Sequence, residues 1–503
     1  MRKTIRFLIS GIWGGLLIMS CHKNLSATEP SKITEMQALV ARKVVKLSVE
    51  NNPAVAHKFA ADPAVLVYKD TVYVYATNDM QQLEFSAGKE ENKFNKINTL
   101  NLFASKDLVN WADLGEIPVA GKNSGAGDAK WAANSWAPAV AWKNIDGKDK
   151  FFLYFADSGN GIGVMTSDSP EGPFTDPLGA PLISRSTPNC ANVNWLFDPA
   201  VFVDDDGTGY IYFGGGHNPD TFEHPKTARC ARLGADMTSI EGVPAEIDAL
   251  YLFEDSGINK INGIYYYTYC ANWTERPKGS GPDVPPVAVI AYMTSENPLG
   301  PFTYKGWTLR NPGDYFGAWG NNHHWIFDFK GRHYIAYHAQ VTEKQAGLEK
   351  GGYRTIFIND FEVNADGSLP VQKARMDGVT QIGHFNPFER VDAATFHSFR
   401  NVAVTSARTL APVADGGYVC VKGVDFGDGA AKIAVKVICG GQSKGGTLRI
   451  CADHFGGNGT VLAEIPVGRK SEVEASVAKI SGVHDLYFVF NGNFELCEWE
   501  FKR

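Results

Sequence analysis

The sequence predicts an all-β protein, a five-bladed β-propeller followed by a β-sandwich. The first observation is a pattern that occurs five times, in which a short motif and its strand lead to an aromatic-rich strand. The second is that each unit then continues into a third strand, a turn and a fourth strand. The third is that this pattern stops near Phe385 and gives way to short alternating strands with glycine-rich turns. A long internal repeat of four antiparallel strands is typical of a propeller.

The clearest unit runs from Leu252 to Tyr269. At its centre lies Asn262-Gly263, the strongest short signal for a two-residue hairpin turn. The aromatic strand that follows is rich in residues that favour β-structure. The other units start roughly 55 to 75 residues apart, at motifs around Asp62, Ala137, Asp198 and His323. No helical pattern alternates with the strands, which argues against a parallel α/β fold.

The length of 503 residues favours more than one domain. We divide the chain into a targeting segment at 1–21, a linker at 22–52, the propeller at 53–383 and the sandwich at 384–503. Within the linker, residues 33–47 are predicted to form a short helix. From about Phe385 onward the alternating strands and glycine-rich turns are typical of a β-sandwich.

The first 21 residues are predicted to be a signal peptide. Basic residues near the start precede an apolar run from Leu8 to Met19, which is too short to span a membrane. The sequence Ile18-Met19-Ser20-Cys21 resembles a bacterial lipobox, which implies lipidation of Cys21. We therefore expect an exported envelope lipoprotein of the outer membrane, periplasmic or surface-facing, that touches the membrane only through its anchor. The alternative is a plain secretory signal with an incidental cysteine.

Composition limits the partners and the use of cysteine. A formal net charge of −7 argues against a nucleic-acid partner and is compatible with a neutral substrate. Seven cysteines follow Cys21, and an odd number cannot all pair. No C-x-x-C spacing of the kind that binds metal occurs. Most of them are therefore predicted to be buried thiols, and a pair among the C-terminal four remains open.

Three acidic residues stand at what the repeat predicts to be equivalent positions: Asp62, Asp198 and Glu254. The inner strands of a propeller line its channel, so these side chains should converge at one mouth. Acids that converge among apolar residues repel one another and lose solvation, so at least one pKa should rise. Glycoside cleavage needs such a pair, one carboxyl to protonate the leaving oxygen and one to activate water. The alternative is that the Asp-Pro pairs only form turns and Glu254 is a surface residue.

At these residues the chain resembles glycoside hydrolase family 43, over about residues 53–381. The motifs are Ala61-Asp62-Pro63, Trp136-Ala137-Pro138, Phe197-Asp198-Pro199-Ala200-Val201, Phe253-Glu254-Asp255-Ser256-Gly257 and Asn322-His323-His324. The resemblance implies that Asp62 is the general base and Glu254 the general acid. It implies that Asp198 is the third carboxylate, which tunes and orients the acid. It also implies an inverting enzyme that acts mainly on α-L-arabinofuranosyl and β-D-xylosyl linkages.

Within that family, the chain most resembles the arabinoxylan arabinofuranohydrolases. The features are the Phe253 to Lys260 motif, the Gly159 to Gly163 stretch and the C-terminal sandwich. This implies an exo-acting enzyme that removes α-L-arabinofuranosyl side chains from arabinoxylan or related hemicellulose. The alternatives are a β-xylosidase or an arabinanase on the same acids, or a lipid-anchored glycan-binding protein without activity. Related five-bladed retaining enzymes carry Asn-Asp-Pro-Asn where this chain has Ala-Asp-Pro-Ala, which favours inversion.

The resemblance implies roles for four more residues. His323 falls at the channel centre, where many family members hold a structural calcium ion, so the histidine would contact the metal through water or be a hydrogen-bonded core residue. The chemistry itself would need no cofactor. Arg354 matches a family arginine near the acids. Trp136 and Trp273 would stack on a sugar face, or would be ordinary buried propeller tryptophans. We expect a monomer.

The C-terminal segment resembles carbohydrate-binding module family 6. The likeness lies in residues 484–490 and 424–427. Two departures bear on sugar binding. Val391-Asp392-Ala393-Ala394 stands where that family has Glu-Ala-Glu, and the loop after Val467 has no tryptophan. The sandwich is therefore predicted to be either a sugar-binding module or a structural partner of the propeller.

Overall fold

The computed structural model describes residues 32–440, 445–456, 458–468 and 471–503. They form a five-bladed β-propeller followed by a β-sandwich, which confirms the predicted fold class. The predicted signal peptide and Cys21 lie outside the described residues. Within the described ranges, no helix is both long and apolar enough to cross a membrane.

Each blade is one antiparallel sheet whose strands are adjacent in chain order. Blade 1 contains β1 Ala61–Tyr68, β2 Thr71–Thr77, β3 Thr99–Ser105 and β4 Trp111–Pro118. Blade 2 contains β5 Trp136–Ile145, β6 Lys148–Ala156 and β7 Ile162–Ser167. Blade 3 contains β8 Ala200–Val203, β9 Gly209–Phe213, β10 Ala228–Leu233 and β11 Ile240–Ile247. Blade 4 contains β12 Leu252–Ile261, β13 Ile264–Ala271, β14 Ile290–Ser295 and β15 Thr303–Leu309. Blade 5 contains β16 His324–Phe329, β17 Arg332–Ala339 and β18 Thr355–Phe361.

Among the described residues, blades 2 and 5 have three strands rather than the four expected from the repeat. In blade 2 the place of the fourth strand is taken by two isolated antiparallel bridges to β7, Ile162 with Ile183 and Thr166 with Thr175. Pro177 follows two residues later, and proline has no N–H to extend the ladder. In blade 4 the corresponding segment continues without proline through β15, so a full strand forms there.

The five inner strands form a closed ring. Strands β1, β5, β8, β12 and β16 contact one another in that order, and β16 contacts β1. The apolar core lies between neighbouring blades as five separate layers. Closure of the ring brings the N-terminal ends of all five inner strands to one mouth of the channel.

The hairpin predicted at Asn262-Gly263 is present between β12 and β13. Ile261 pairs with Ile264, so the loop has two residues. Both have left-handed backbone conformations, with φ of 51° and 82°. Two positive φ values define a type I′ turn, whose twist matches the flanking strands.

Four helices complete the described part of the propeller region. They are α1 Glu35–Lys43, α2 Asp79–Ser86, α3 Gly313–Phe316 and α4 Thr342–Ala346. Helix α1 begins with a capping box, in which Thr34 Oγ1 accepts from the Gln37 N–H and Gln37 Oε1 accepts from the Thr34 N–H. The helix is shorter than the 33–47 predicted, because Val44 is already extended.

Helix α1 joins the two halves of the molecule. Val40, Ala41 and Val44 are buried in the same apolar cluster as the sandwich core, and α1 also contacts α2 and α4. Residues predicted as a linker therefore supply packing between propeller and sandwich.

The sandwich has two sheets packed face to face. One contains β22 Val402–Val404, β23 Leu410–Pro412, β30 Glu495–Lys502, β25 Lys432–Ile438 and β28 Glu472–Ser476, with β19 Val391–Asp392 beside β30. The other contains β21 Ser398–Arg400, β24 Gly417–Asp425, β29 Val483–Asn493, β26 Gly445–Ala452 and β27 Thr460–Val467. A short strand, β20 Thr395–Phe396, pairs with β4 of blade 1. All seven described cysteines are free thiols, so the C-terminal four contain no disulfide.

Candidate active site

The mouth of the channel is built from strained turns at the starts of the inner strands. Asp62, Ala137 and Asp198 each precede a proline and have left-handed backbones, with φ of 51°, 37° and 48°. Such conformations cost free energy for residues other than glycine and persist only where the surrounding structure enforces them. The shared conformation directs equivalent side chains of three blades toward the channel.

The prediction that Glu254 is equivalent to Asp62 is wrong by one residue. In blade 4 the left-handed residue is Asp255, with φ of 67°. The strand pairing agrees with this. Strands β1 and β12 each contain a β-bulge, and the last paired residue before the bulge is Ala61 in β1 and Glu254 in β12. Blade 4 has no proline after its acids, so the sequence offered no marker for the register. Blade 4 therefore supplies two acids, Glu254 at the position of Ala61 and Asp255 at the position of Asp62.

The three predicted acids nevertheless meet in one pocket at this mouth. The pocket has a volume of about 660 Å³. Asp62, Asp198 and Glu254 line it together with Trp136, His323 and Arg354. Its other walls include Phe94, Trp195, Phe197, Phe253, Asn160, Arg185, Asn194, Asn321 and Gln340. Trp273 does not line this pocket.

Asp62 is held as a carboxylate by basic groups. Arg354 Nη1 donates to Asp62 Oδ1 at 2.8 Å, and His338 Nδ1 and His323 Nδ1 lie 3.2 and 3.5 Å from the same oxygen. Burial alone would raise the pKa of Asp62, but Arg354 and then the two histidines outweigh it and hold that pKa well below its usual range. Asp62 is therefore ionised at any pH at which the protein is expected to work.

Arg354 is itself fixed by Asp79, a residue that the sequence analysis missed. Its Nε and Nη2 donate to the two carboxylate oxygens of Asp79, each at 2.8 Å, while its Nη1 remains for Asp62. The pair is fully buried, and its bidentate geometry sets the guanidinium plane. Asp79 occurs in one unit only, so the repeat gave no sign of it.

Glu254 has the opposite environment. It is buried, and among the described residues its Oε1 has no hydrogen-bond partner. Burial, followed by the nearby charges of Asp198 and Asp62, raises the pKa of Glu254 well above its usual value. The group thus retains its proton under conditions in which Asp62 has lost its own.

Asp198 lies between these two. Its Oδ2 accepts from the backbone N–H of Asp255 at 3.0 Å. Burial and the charge of Asp62 raise the pKa of Asp198 as well. The charge of Asp198 in turn raises the pKa of Glu254.

Aromatic rings form much of the pocket wall. Trp136 Nε1 donates to the carbonyl of Phe94 at 2.7 Å, and the Phe94 ring lies 4.8 Å from the Arg354 guanidinium carbon. Trp195 packs edge-on against Phe197 and Phe253, with centroids 5.2 Å apart in both cases. Rings of this kind offer flat apolar faces to a sugar. Neither Trp195 nor Phe94 was predicted as a site residue from the sequence.

Comparison with known proteins bears on this acid cluster. Residues 51–369 match the profile of glycosyl hydrolases family 43. The chain belongs to glycosyl hydrolases family 43. It is therefore a glycoside hydrolase, and the matched residues include all three acids of the pocket.

Two curated relatives of this family 43 enzyme align over almost its whole length. An arabinoxylan arabinofuranohydrolase of Paenibacillus polymyxa is 45% identical over 92% of this chain and 75% of its own. One from Bacillus subtilis (strain 168) is 42% identical over 98% of each chain. A crystal structure of a family 43 arabinoxylan arabinofuranohydrolase from Bacillus subtilis, in complex with cellotetraose, superposes with a TM-score of 0.85. That structure is 41% identical and covers 92% of this chain and 100% of its own.

Calcium does not fit as an ion held directly by side chains of this family 43 enzyme. His323 Nε2 lies 3.1 Å from Asp255 Oδ1, and His324 Nδ1 lies 2.5 Å from Asp255 Oδ2. Within the described ranges, no three His, Cys, Asp or Glu side chains are placed to hold a metal ion. Calcium takes six to eight oxygen ligands, whereas this centre offers imidazoles that already face the carboxylates. Burial lowers the pKa of His323.

Proposed function

We propose that this family 43 enzyme is an inverting, exo-acting α-L-arabinofuranosidase that removes arabinofuranosyl side chains from arabinoxylan or related hemicellulose. The observation that carries the reaction is the opposite shift of two carboxyl pKa values in one pocket, low for Asp62 and high for Glu254. The choice of arabinose is supported by the two relatives that align over most of the chain, both named arabinoxylan arabinofuranohydrolases.

Asp62 is the general base in this proposal. Its ionised carboxylate takes a proton from a water molecule, and the water oxygen forms a bond to the anomeric carbon. Attack occurs from the face opposite the leaving group, so the configuration inverts. Room for this water requires the carboxyls of Asp62 and Glu254 to lie about 6.5 to 9.5 Å apart.

Glu254 is the general acid. Its proton passes to the glycosidic oxygen as the bond to the anomeric carbon breaks, so the leaving hydroxyl departs neutral. Asp198 keeps that proton on Glu254 by repulsion, and Arg354 keeps Asp62 charged. After turnover Asp62 holds a proton and Glu254 has lost one, and exchange with solvent restores both.

The experiment that tests this function is product analysis on wheat arabinoxylan. We expect arabinose to be released and no xylose, and proton NMR of the first-formed sugar should show the anomer opposite to that of the substrate. Release of xylose would favour the alternative β-xylosidase. Release of arabinose from linear arabinan in preference to arabinoxylan would favour an arabinanase.

We propose that the sandwich is a structural partner of the propeller. Ala393 and Ala394, in the stretch that stands where carbohydrate-binding module family 6 has Glu-Ala-Glu, are buried. The Ala394 carbonyl accepts from the N–H of Asp113 in blade 1, and the adjacent strand β20 pairs with β4. This stretch thus contributes to the contact between domains. Affinity electrophoresis in xylan, with Asp62→Asn to prevent hydrolysis, tests this role: retardation that persists when free arabinose fills the propeller pocket would indicate sugar binding by the sandwich and contradict it.

Lipidation of Cys21 and attachment to the outer membrane remain predictions, supported by the sequence of the first 21 residues. Cys21→Ala should release the protein from the membrane fraction, and unchanged fractionation would contradict the anchor.

Calcium near His323 also remains a prediction, as an ion held through water beside the buried carboxylates. Metal analysis of purified protein would measure it, and size-exclusion chromatography would test the expected monomer.

A further inference from the structure

Three polar residues lie directly behind the acids of the pocket, and none of them lines it. Asp255 is in β12 and Thr268 in β13, both in blade 4, while His324 is the first residue of β16 in blade 5. All three are fully buried, with 0% exposure. Asp255, His324 and Thr268 together are here called the buried clamp, because they join the inner strands of two blades.

The imidazole of His324 is held at both of its nitrogens. Asp255 Oδ2 accepts from the main-chain N–H of His324 at 3.2 Å and lies 2.5 Å from His324 Nδ1. On the other side of the ring, His324 Nε2 lies 2.8 Å from Thr268 Oγ1. A hydroxyl can donate or accept, so this contact serves the ring in either protonation state. The other oxygen of Asp255 lies 3.1 Å from His323 Nε2, so the carboxylate is confined on both sides.

Gly257 makes the contact between Thr268 and His324 possible. It belongs to the same motif as Glu254 and Asp255. A Cβ on this glycine would lie 2.3 Å from Thr268 Oγ1 and 3.1 Å from His324 Nε2. The first distance is too short for any non-bonded contact, so a larger residue would push the hydroxyl away from the ring.

The buried clamp fixes the main chain that carries Glu254. Asp255 has a left-handed backbone with φ of 67°, which persists only where the surrounding structure enforces it. Its N–H donates to Asp198 Oδ2 at 3.0 Å, and this N–H belongs to the planar peptide group that joins Glu254 to Asp255. Among the described residues Glu254 Oε1 has no hydrogen-bond partner. The place of the Glu254 carboxyl therefore depends on its main chain and on packing.

We propose that Asp255, His324 and Thr268 are positioning residues for the general acid, which hold the peptide group that carries Glu254 and donates to Asp198. Proton transfer to the glycosidic oxygen requires the donor within hydrogen-bond reach of it. A displacement of about 1 Å from the productive geometry costs roughly a factor of 10² in rate. The inference rests on the proposed function, in which Glu254 is the acid, and extends it to residues that never touch the substrate.

The test uses a series of aryl α-L-arabinofuranosides that differ in the acidity of the leaving phenol. Thr268→Val removes the hydroxyl with little change in shape and should lower kcat/KM about tenfold on the least acidic phenols. It should change kcat/KM little on the most acidic phenols, which leave without a proton. Asp255→Asn should show the same dependence with a loss of about 10² on the least acidic phenols. Thr268→Ser keeps the hydroxyl and should keep most of the wild-type profile.

The matched control is Thr308→Val. Thr308 is also fully buried in blade 4, and its Oγ1 donates to the Pro370 carbonyl at 2.9 Å, but it lies in the outer strand β15, away from the pocket lining. The control removes the same kind of hydrogen bond and should leave the dependence on the leaving group unchanged. Unfolding midpoints of all variants check that the fold is retained, and Thr268→Val decides the question alone if Asp255→Asn does not fold.

Two results would overturn the positioning role: a loss in Thr268→Val that is equal across the series, or no loss beyond that of Thr308→Val. Failure of the proposed function is read separately, in Glu254→Ala. If that variant loses the same factor on every member of the series, Glu254 is not the acid, and the positioning role fails with it. If Glu254→Ala loses activity only on the less acidic phenols while Thr268→Val does not, the positioning role alone fails.

Discussion

Asp62 and Glu254 are both buried carboxyl groups, yet their neighbours drive their pKa values in opposite directions. Asp62 faces Arg354 and two histidines, whereas Glu254 faces carboxylates and has an oxygen without a hydrogen-bond partner among the described residues. A base and an acid can therefore coexist at one pH in the same pocket. The residue type alone does not decide which of the two is the acid and which is the base, since Asp and Glu side chains have similar intrinsic pKa values.

Asp62→Asn should reduce kcat by a factor of about 10² to 10⁴ on every substrate, because each turnover needs a carboxylate to activate water. The amide retains the size of the side chain, and Arg354 keeps its bidentate pair with Asp79, so the fold should persist. Steady-state kinetics on an aryl arabinofuranoside and on arabinoxylan measure the loss. Full activity of this variant would show that another group is the base.

Asp198→Asn should move the basic limb of the pH profile to lower pH. The charge of Asp198 raises the pKa of Glu254, so removing it lets Glu254 lose its proton at lower pH. Activity requires the protonated form, and it should therefore fall at a lower pH than in the wild type. The measurement is kcat/KM against pH. A basic limb that stays in place or moves upward would contradict the role given to Asp198.

At the scale of elements, the inner strands carry the site through a bulge at their N-terminal ends. The Asp-Pro motifs predicted where the strands of blades 1 and 3 begin, because each motif recurs at a similar distance before an aromatic strand. The position of Glu254 was not predicted correctly, since blade 4 has Glu-Asp in place of Asp-Pro. Asp255, one residue after Glu254, is the residue equivalent to Asp62. Asp255, buried against His324, was predicted only as part of a motif.

Strand periodicity and turn type depend on residues that are close together in the chain, so both could be predicted from the sequence. The Asn262-Gly263 hairpin and the five-fold repeat are examples. The role of α1 and the Asp79–Arg354 pair were not predictable in this way. Each depends on a contact between segments far apart in the chain; Asp79 and Arg354, for instance, are 275 residues apart.

Helix α1 offers a test of packing at this scale. Val40→Ala should lower the free energy of unfolding by about 2 kcal/mol, because the side chain is 1% exposed and packs in the sandwich core cluster. Val49→Ala is the matched control, since Val49 is 77% exposed and should change stability little. Thermal unfolding of both variants measures the difference. Equal midpoints would show that α1 does not stabilise the contact between domains.

At the scale of the whole molecule, ring closure is what assembles the site. The ion pair of Asp62 with Arg354 joins residues 292 positions apart. Blades 1, 3 and 4 each supply acids, while the arginine comes from the loop that leads into β18 of blade 5. The propeller thus holds groups of opposite protonation state in fixed positions, which is the form of preorganisation that acid–base hydrolysis needs.

In the proposed mechanism, Glu254 is the proton donor to the leaving group and Asp62 is not. It is tested most directly by the dependence of kcat/KM on leaving-group acidity, in a series of aryl α-L-arabinofuranosides. Glu254→Ala should retain activity on the most acidic phenols, which leave without protonation, and should lose a factor of about 10² to 10⁴ on the least acidic ones. Asp62→Asn, the control, should lose a similar factor across the whole series. If Glu254→Ala loses the same factor on every member of the series, the assignment of Glu254 as the general acid is contradicted.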